Sequence, residues 1–266
     1  AFHNSAQRVD PPRCHPNTRE EILKKIYDWI INSEHRKQWL LWLNGAAGAG
    51  KSAIMQTLAE RCVVAIAVAS FFFFRSDATR NTMAPLVATL VYQLIRSIPE
   101  ISDDILLIIE RDPLIFKQAL DWQLQHLIIQ PLLRLQRVSR QLFVVFIDEL
   151  DECVNREDQA NVIKVLGHVS QKDIPVIFLI ASRREPRIQS EFGKKKVADY
   201  LEIISLDEIH ATDDIRRYLC DKFSDIKSNH IRNHSLLTDW PKYADIEQIL
   251  AKSSGQFIYA AVVMTY

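Results

Sequence analysis

The stretch Trp39-Leu40-Leu41-Trp42-Leu43-Asn44-Gly45-Ala46-Ala47-Gly48-Ala49-Gly50-Lys51-Ser52 decides the fold. Trp39 to Leu43 is a short apolar run that reads as a buried strand, and Ser52 to Cys62 reads as the helix that follows. Between them, Gly45 to Ser52 matches G-x-x-x-x-G-K-[ST] in full. Glycines at these places let the backbone turn so that its N–H groups converge on phosphate oxygens, and the helix adds its positive end. Lys51 would reach the β- and γ-phosphates, and the Ser52 hydroxyl would ligate Mg²⁺. The expected ligand is a nucleoside triphosphate, ATP or GTP, held by Gly45, Ala46, Ala47, Gly48, Ala49, Gly50, Lys51 and Ser52.

Two apolar runs downstream complete such a site. Leu142 to Ile147 reads as a strand closing on Asp148, whose carboxylate can hold the metal's water shell opposite Ser52. The acids continue through Glu149, Asp151 and Glu152, and one of the last two is placed to orient or deprotonate an attacking water. Pro175 to Ala181 is a further strand, followed by Ser182 and Arg183. A sheet of this kind binds phosphate at the carboxyl ends of its strands, so Arg183 would sense or neutralise the γ-phosphate charge.

The remaining chain fits an alternation of strands and helices. Val63 to Phe74 reads as a strand buried on both faces, and Asp199 to Ile204 as a fifth strand. Helical spacing marks the segment after Thr18, which stands at an N-cap position, then Met83–Ile98, Ser102–Glu110, Trp122–Gln136, Asp158–Val169 and Asp213–Phe223. Nearly all-apolar strands alternating with helices predict an α/β fold: a three-layer α/β/α P-loop NTPase with a five-stranded, mostly parallel sheet. Past residue 225 the strands stop. The expected divisions are a lead-in segment and helix over 1–36, the NTPase domain over 37–225 and the start of a helical subdomain over 226–266.

Composition narrows the function classes. The 33 basic and 33 acidic residues cancel, which argues against a whole-domain grip on nucleic acid or an anionic membrane. No apolar run approaches the roughly 20 residues that a membrane span requires. Four scattered cysteines suit reduced thiols in a cytoplasmic protein. Cys14-His15 lacks a second cluster at zinc spacing. Arg75, Arg80 and Lys194-Lys195-Lys196 read as solvated, and His126, His168 and His210 receive no role. The chain opens on Ala1 and stops at Met264-Thr265-Tyr266 within an apolar run, as a fragment of something longer would.

The phosphate loop, Asp148-Glu149-Leu150-Asp151-Glu152 and Ala181-Ser182-Arg183 together resemble the NACHT family of signal-transducing P-loop NTPases. Arg13-Cys14-His15-Pro16-Asn17-Thr18-Arg19, Ala69-Ser70-Phe71-Phe72-Phe73-Phe74-Arg75 and Ser253-Ser254-Gly255-Gln256-Phe257-Ile258-Tyr259-Ala260 extend the likeness to fungal NOD-like receptors with a nephrocystin-like NTPase region. The resemblance implies a nucleotide-driven switch that self-associates on activation, flanked by an effector and a repeat-built sensor, in non-self recognition or cell death. It assigns Ser52 and Asp148 to the metal, Asp151 and Glu152 to hydrolysis and Arg183 to sensing, and it places Pro16, Thr18 and Arg19 near the nucleobase. Two positions depart from the family. Glu149 stands where a small residue is usual, crowding the metal or facing outward, and Arg184 stands where proline is common. Both leave open a nucleotide-stabilised scaffold with vestigial hydrolysis.

Overall fold

The computed structural model describes residues 1–8, 10–32, 37–136, 142–170, 176–229 and 240–265. Five strands, β1 (Leu40–Asn44), β2 (Ala67–Phe72), β3 (Phe143–Asp148), β4 (Val176–Ser182) and β5 (Leu201–Ser205), form one sheet in the order β2-β3-β4-β1-β5. Every neighbouring pair is parallel. Pro175, the expected start of β4, lies outside the described residues, as does the expected boundary at residue 36.

Strand periodicity sorts the core into two layers. Phe143, Val145 and Ile147 of β3 face one layer, whereas Val144 and Phe146 face the other. The first layer is covered by α3 (Leu86–Ser97), α4 (Ser102–Arg111), α5 (Leu120–Leu124) and α6 (Gln130–Gln136), together with α7 (Arg156–Val169), α8 (Pro186–Phe192) and α9 (Lys195–Ala198). The second is covered by α1 (Glu20–Ile31) and α2 (Lys51–Cys62), through Ile22, Leu23, Ile26 and Ile30 of α1 and Ile54, Met55 and Leu58 of α2. The architecture is the three-layer α/β/α expected.

Local differences have local causes. The strand expected over Val63–Phe74 begins only at Ala67, because Val63, Ala65 and Ile66 donate back to the end of α2 and leave Val64 86% exposed. Thr18 does not cap α1. Its hydroxyl donates to the His15 carbonyl at 2.7 Å, and Arg19, at φ 57°, takes the cap position. The helix expected over Trp122–Gln136 contains a π turn, Gln125–Ile129, joining α5 to α6.

A third cluster lies apart from the sheet. Ile215, Leu219 and Phe223 of α10 (Thr212–Asn229) pack with Ile246 and Leu250 of α11 (Tyr243–Ser253) and Ala260 of α12 (Phe257–Val263). The expected boundary at 226 falls inside α10, whose apolar face belongs to this cluster. No described helix is long and apolar enough to cross a membrane.

Candidate nucleotide site

Three adjacent strands, β3, β4 and β1, deliver the expected residues to one edge of the sheet. The phosphate loop leaves β1 and turns into α2, with Gly48 at φ 76° and Gly50 at φ 95°, a region that side chains with a Cβ rarely enter. Lys51 is 8% exposed, and its ammonium donates to the carbonyls of Gly45 (2.8 Å) and Ala46 (2.9 Å). Burial lowers its pKa, while the charges of Asp151, Asp148 and Glu149 oppose that fall. The loop is held from outside by Asp207, which accepts from the Ala46 amide at 2.9 Å.

Alternation along β3 decides where Asp148 points. Val144 and Phe146 face α2, so Asp148, two residues on, leaves the sheet on the same side, beside Ser52. It is fully buried, and neither carboxylate oxygen has a hydrogen-bond partner among the described residues. Burial, then the neighbouring Glu149 charge, raises its pKa; the Ser52 hydroxyl and Glu149 amide pull the other way without completing a hydrogen bond. Glu149 faces inward, not outward. Its φ of 55° turns the side chain back so that Ser52 Oγ donates to Oε1 at 3.2 Å. Burial raises its pKa as well.

An unpartnered buried carboxylate, a second carboxylate and a hydroxyl form a hard-oxygen set that suits Mg²⁺. Among the described residues no group of three or more His, Cys, Asp or Glu side chains could hold a metal ion by itself. The set therefore fits an ion that takes further oxygens from a phosphate and water. Cys14-His15 forms no such centre: the Cys14 amide donates to Thr57, and His15 Nε2 pairs with Asp221 at 2.7 Å.

Asp151, Glu152 and Arg183 meet, but they meet each other. Arg183 Nε lies 2.9 Å from Asp151 Oδ2, its amide donates to Asp151 Oδ1 at 2.9 Å, and Nη2 reaches Glu152 Oε1 at 2.5 Å. Arg75 is not merely solvated. It donates to the Asp151 carbonyl at 2.7 Å, and its amide donates to Glu152 Oε2 at 3.2 Å. Arg80 pairs with Asp77 at 2.9 Å, and Arg184 lies 3.8 Å from Glu208.

A cavity of about 690 Å³ runs from the phosphate loop and these acids to the helical cluster. Its far end is lined by His15, Thr18 and Arg19 of the lead-in and by Tyr218, Lys222 and Phe257 of the helices; Pro16 does not line it. Arg19 is 5% exposed. It donates to the Ala49 carbonyl at 3.0 Å and sits 5.2 Å from the Phe257 ring centroid. Its Nε and Nη1 have no partner among the described residues. Ser254 and Gly255, at φ 48° and 79°, reverse the chain after α11 and bring Ile258 onto Gly48. Tyr218 carries no motif, and it is helix packing that pairs it with Phe257 of the Ser253–Ala260 segment.

A family model described as nephrocystin 3, N-terminal, matches residues 17–183, more than half of the chain. The chain is also similar to the vegetative incompatibility protein HET-E-1 of Podospora anserina, at 25% identity over 205 residues. That match covers 69% of this chain and 14% of the relative, so the chain spans a small part of that protein's length. Among solved structures it is similar to Drosophila ORC bound to DNA, with a TM-score of 0.49 and 14% identity over 91% of this chain and 53% of that one. AMPPCP-bound DnaA from Aquifex aeolicus gives a TM-score of 0.47 and 10% identity over 92% and 58%.

Proposed function

The chain belongs to the family described as nephrocystin 3, N-terminal, and we propose that it binds ATP or GTP with Mg²⁺ and hydrolyses it slowly as a regulatory switch. It is a P-loop NTPase of NACHT type. The observation that carries the proposal is the phosphate loop lining, with Glu149, a cavity of about 690 Å³, a size suited to a nucleotide, with the unpartnered Asp148 buried behind Ser52 and Glu149. In this reading the loop amides and Lys51 take the phosphates, while Ser52 and Asp148 hold the metal. When bound, the metal would neutralise charge on the phosphates. Arg19 and the aromatic end of the cavity take the rest of the nucleotide. Asp151 or Glu152 would orient the attacking water once Arg183 turns from the acids to the γ-phosphate, an exchange that couples nucleotide state to conformation.

The likeness to HET-E-1 supports a place in a fungal NOD-like receptor, cytoplasmic and self-associating on activation, with effector and sensor regions elsewhere in the full-length chain. The lead-in and helix over 1–36 remain our division, with the NTPase core shortened from 37–225 to 37–210 and the helical unit moved to begin near Ala211, where its own apolar cluster starts. Nucleic acid is not part of this reading, given the zero net charge; stimulation of turnover by DNA or RNA would revise it.

A second reading has its own support. Arg183 pairs with both hydrolytic acids and the Arg75 amide donates to Glu152, as fits a nucleotide-stabilised scaffold with vestigial turnover. Two substitutions separate the readings. Lys51→Ala should weaken fluorescent nucleotide binding about 100-fold, since a buried charge-assisted contact is lost; unchanged binding refutes both. Glu152→Gln should slow phosphate release about 10-fold or more with binding kept within about twofold; unchanged release leaves the scaffold.

A further inference from the structure

One residue of the lead-in segment, Arg8, is held by neighbours of the metal residues. Ala1 to Arg8 runs beside the edge strand β2: the Phe72 amide donates to the Ala1 carbonyl at 2.8 Å, and the His3 amide donates to Ser70 Oγ at 2.8 Å. Gln56 of α2 anchors the same segment by donating to the His3 carbonyl at 2.9 Å. Arg8 is thereby set with its guanidinium 3.4 Å above the Phe72 ring centroid and donating to Gln56 Oε1.

Both supports adjoin the metal residues. Phe72 pairs in register with Asp148 across β2 and β3 and faces the α2 layer with it. Gln56, fully buried, lies one helical turn beyond Ser52. Burial lowers the Arg8 pKa to about 10, and the charges of Asp148 and Glu149 oppose that fall. Those two are the pair created by the departure at position 149, a second carboxylate beside one that is buried and unpartnered. Two such charges are costly without a nearby cation.

We propose that Arg8 is a positioning residue of the metal site, a fixed cation that offsets Glu149 so that a two-carboxylate site carries the charge balance of a one-carboxylate site. The proposal rests on the Mg²⁺-nucleotide reading above. Loss of the charge should have opposite effects on cations and anions. A purely structural Arg8 would give no such split.

The test uses the full chain. Mn²⁺ alone, as the spin-resonance probe, measures the acid pair, and a fluorescent ATP analogue in EDTA measures the metal-free phosphate site. Arg8→Met should bind Mn²⁺ about fivefold to tenfold tighter and the metal-free nucleotide weaker by a similar factor, as expected for one charge removed at short range. Arg8→Lys should stay near the wild type in both, and Glu149→Gln added to Arg8→Met should return both toward it. Arg8→Gln, which can keep a bond to Gln56, replaces Arg8→Met if melting curves show that variant unfolded. Equal behaviour of the Met and Lys variants, or independent effects of the Arg8 and Glu149 changes, would overturn the inference. A wild type that binds nucleotide with Mg²⁺ while Arg8→Met is silent sinks the inference alone. A wild type that binds no nucleotide sinks the underlying reading and the inference with it.

Discussion

The cavity has two walls built in different ways. The sheet wall carries the phosphate loop, the acids and Arg183 on strands β1, β3 and β4, which are buried along their whole length. The helical wall carries Tyr218 on α10 and Phe257 and Ile258 on α12, in a unit whose own core holds seven buried apolar residues among those described. It meets the phosphate loop through Ile258 on Gly48, and the lead-in through contacts that include Phe257 beside Arg19, the Arg19 amide on Asp214 and the His15–Asp221 pair. The acids and the phosphate loop thus sit on the wall with the larger buried core. Local stability follows buried contact density, so the helical wall should open at lower cost than the sheet.

The strongest way to break this comparison is to empty the helical core. Leu219→Ala removes a fully buried side chain and should cost about 2–5 kcal/mol. Hydrogen exchange should show the loss confined to residues beyond 210, with β1, β3 and β4 as protected as before. An equal loss in both regions would mean that the walls unfold as one unit.

A smaller effect probes the joint between them. A Cβ at Gly48 would lie 2.1 Å from Ile258 Cγ2, and its φ of 76° is unfavourable for any side chain. Gly48→Ala should cost about 1–3 kcal/mol, from strain together with overpacking. Adding Ile258→Ala should recover the overpacking part but not the backbone part. Full recovery, read from thermal melts of the double variant, would show that the loop carries no strain.

The smallest effect is chemical. Burial pushes the thiols of Cys62 and Cys153 up to about 12 and about 11, whereas Cys220 on α10 is exposed. Iodoacetamide at pH 8 should label Cys220 and spare the other two, because the thiolate is the nucleophile. Labelling of Cys153 at a comparable rate would mean that the sheet wall opens too.

Much of the sheet wall was legible in the chain. Glycine spacing, a lysine and a hydroxyl fix the phosphate loop because backbone conformation and charge are local properties. The apolar runs ending in Asp148 and Arg183 locate strand tips for the same reason. The inward turn of Glu149 was not legible, since one left-handed residue redirects a side chain without altering the pattern around it. The bonds from Arg75 to the acids were missed because a loop arginine carries no period, and Arg8 carries no motif at all. Pro16, placed near the nucleobase by resemblance, does not line the cavity, while its neighbours Thr18 and Arg19 do.

The fold class and the phosphate-loop pattern are written in the sequence, because local spacing and strand-length hydrophobicity carry them. Only the tertiary structure decided which groups meet. It tied Arg183 to Asp151 and Glu152, left Asp148 without a partner, set Arg8 above Phe72 and laid Ile258 on Gly48. Each of these joins residues far apart in the chain, and strand order and helix packing, not sequence distance, set such contacts.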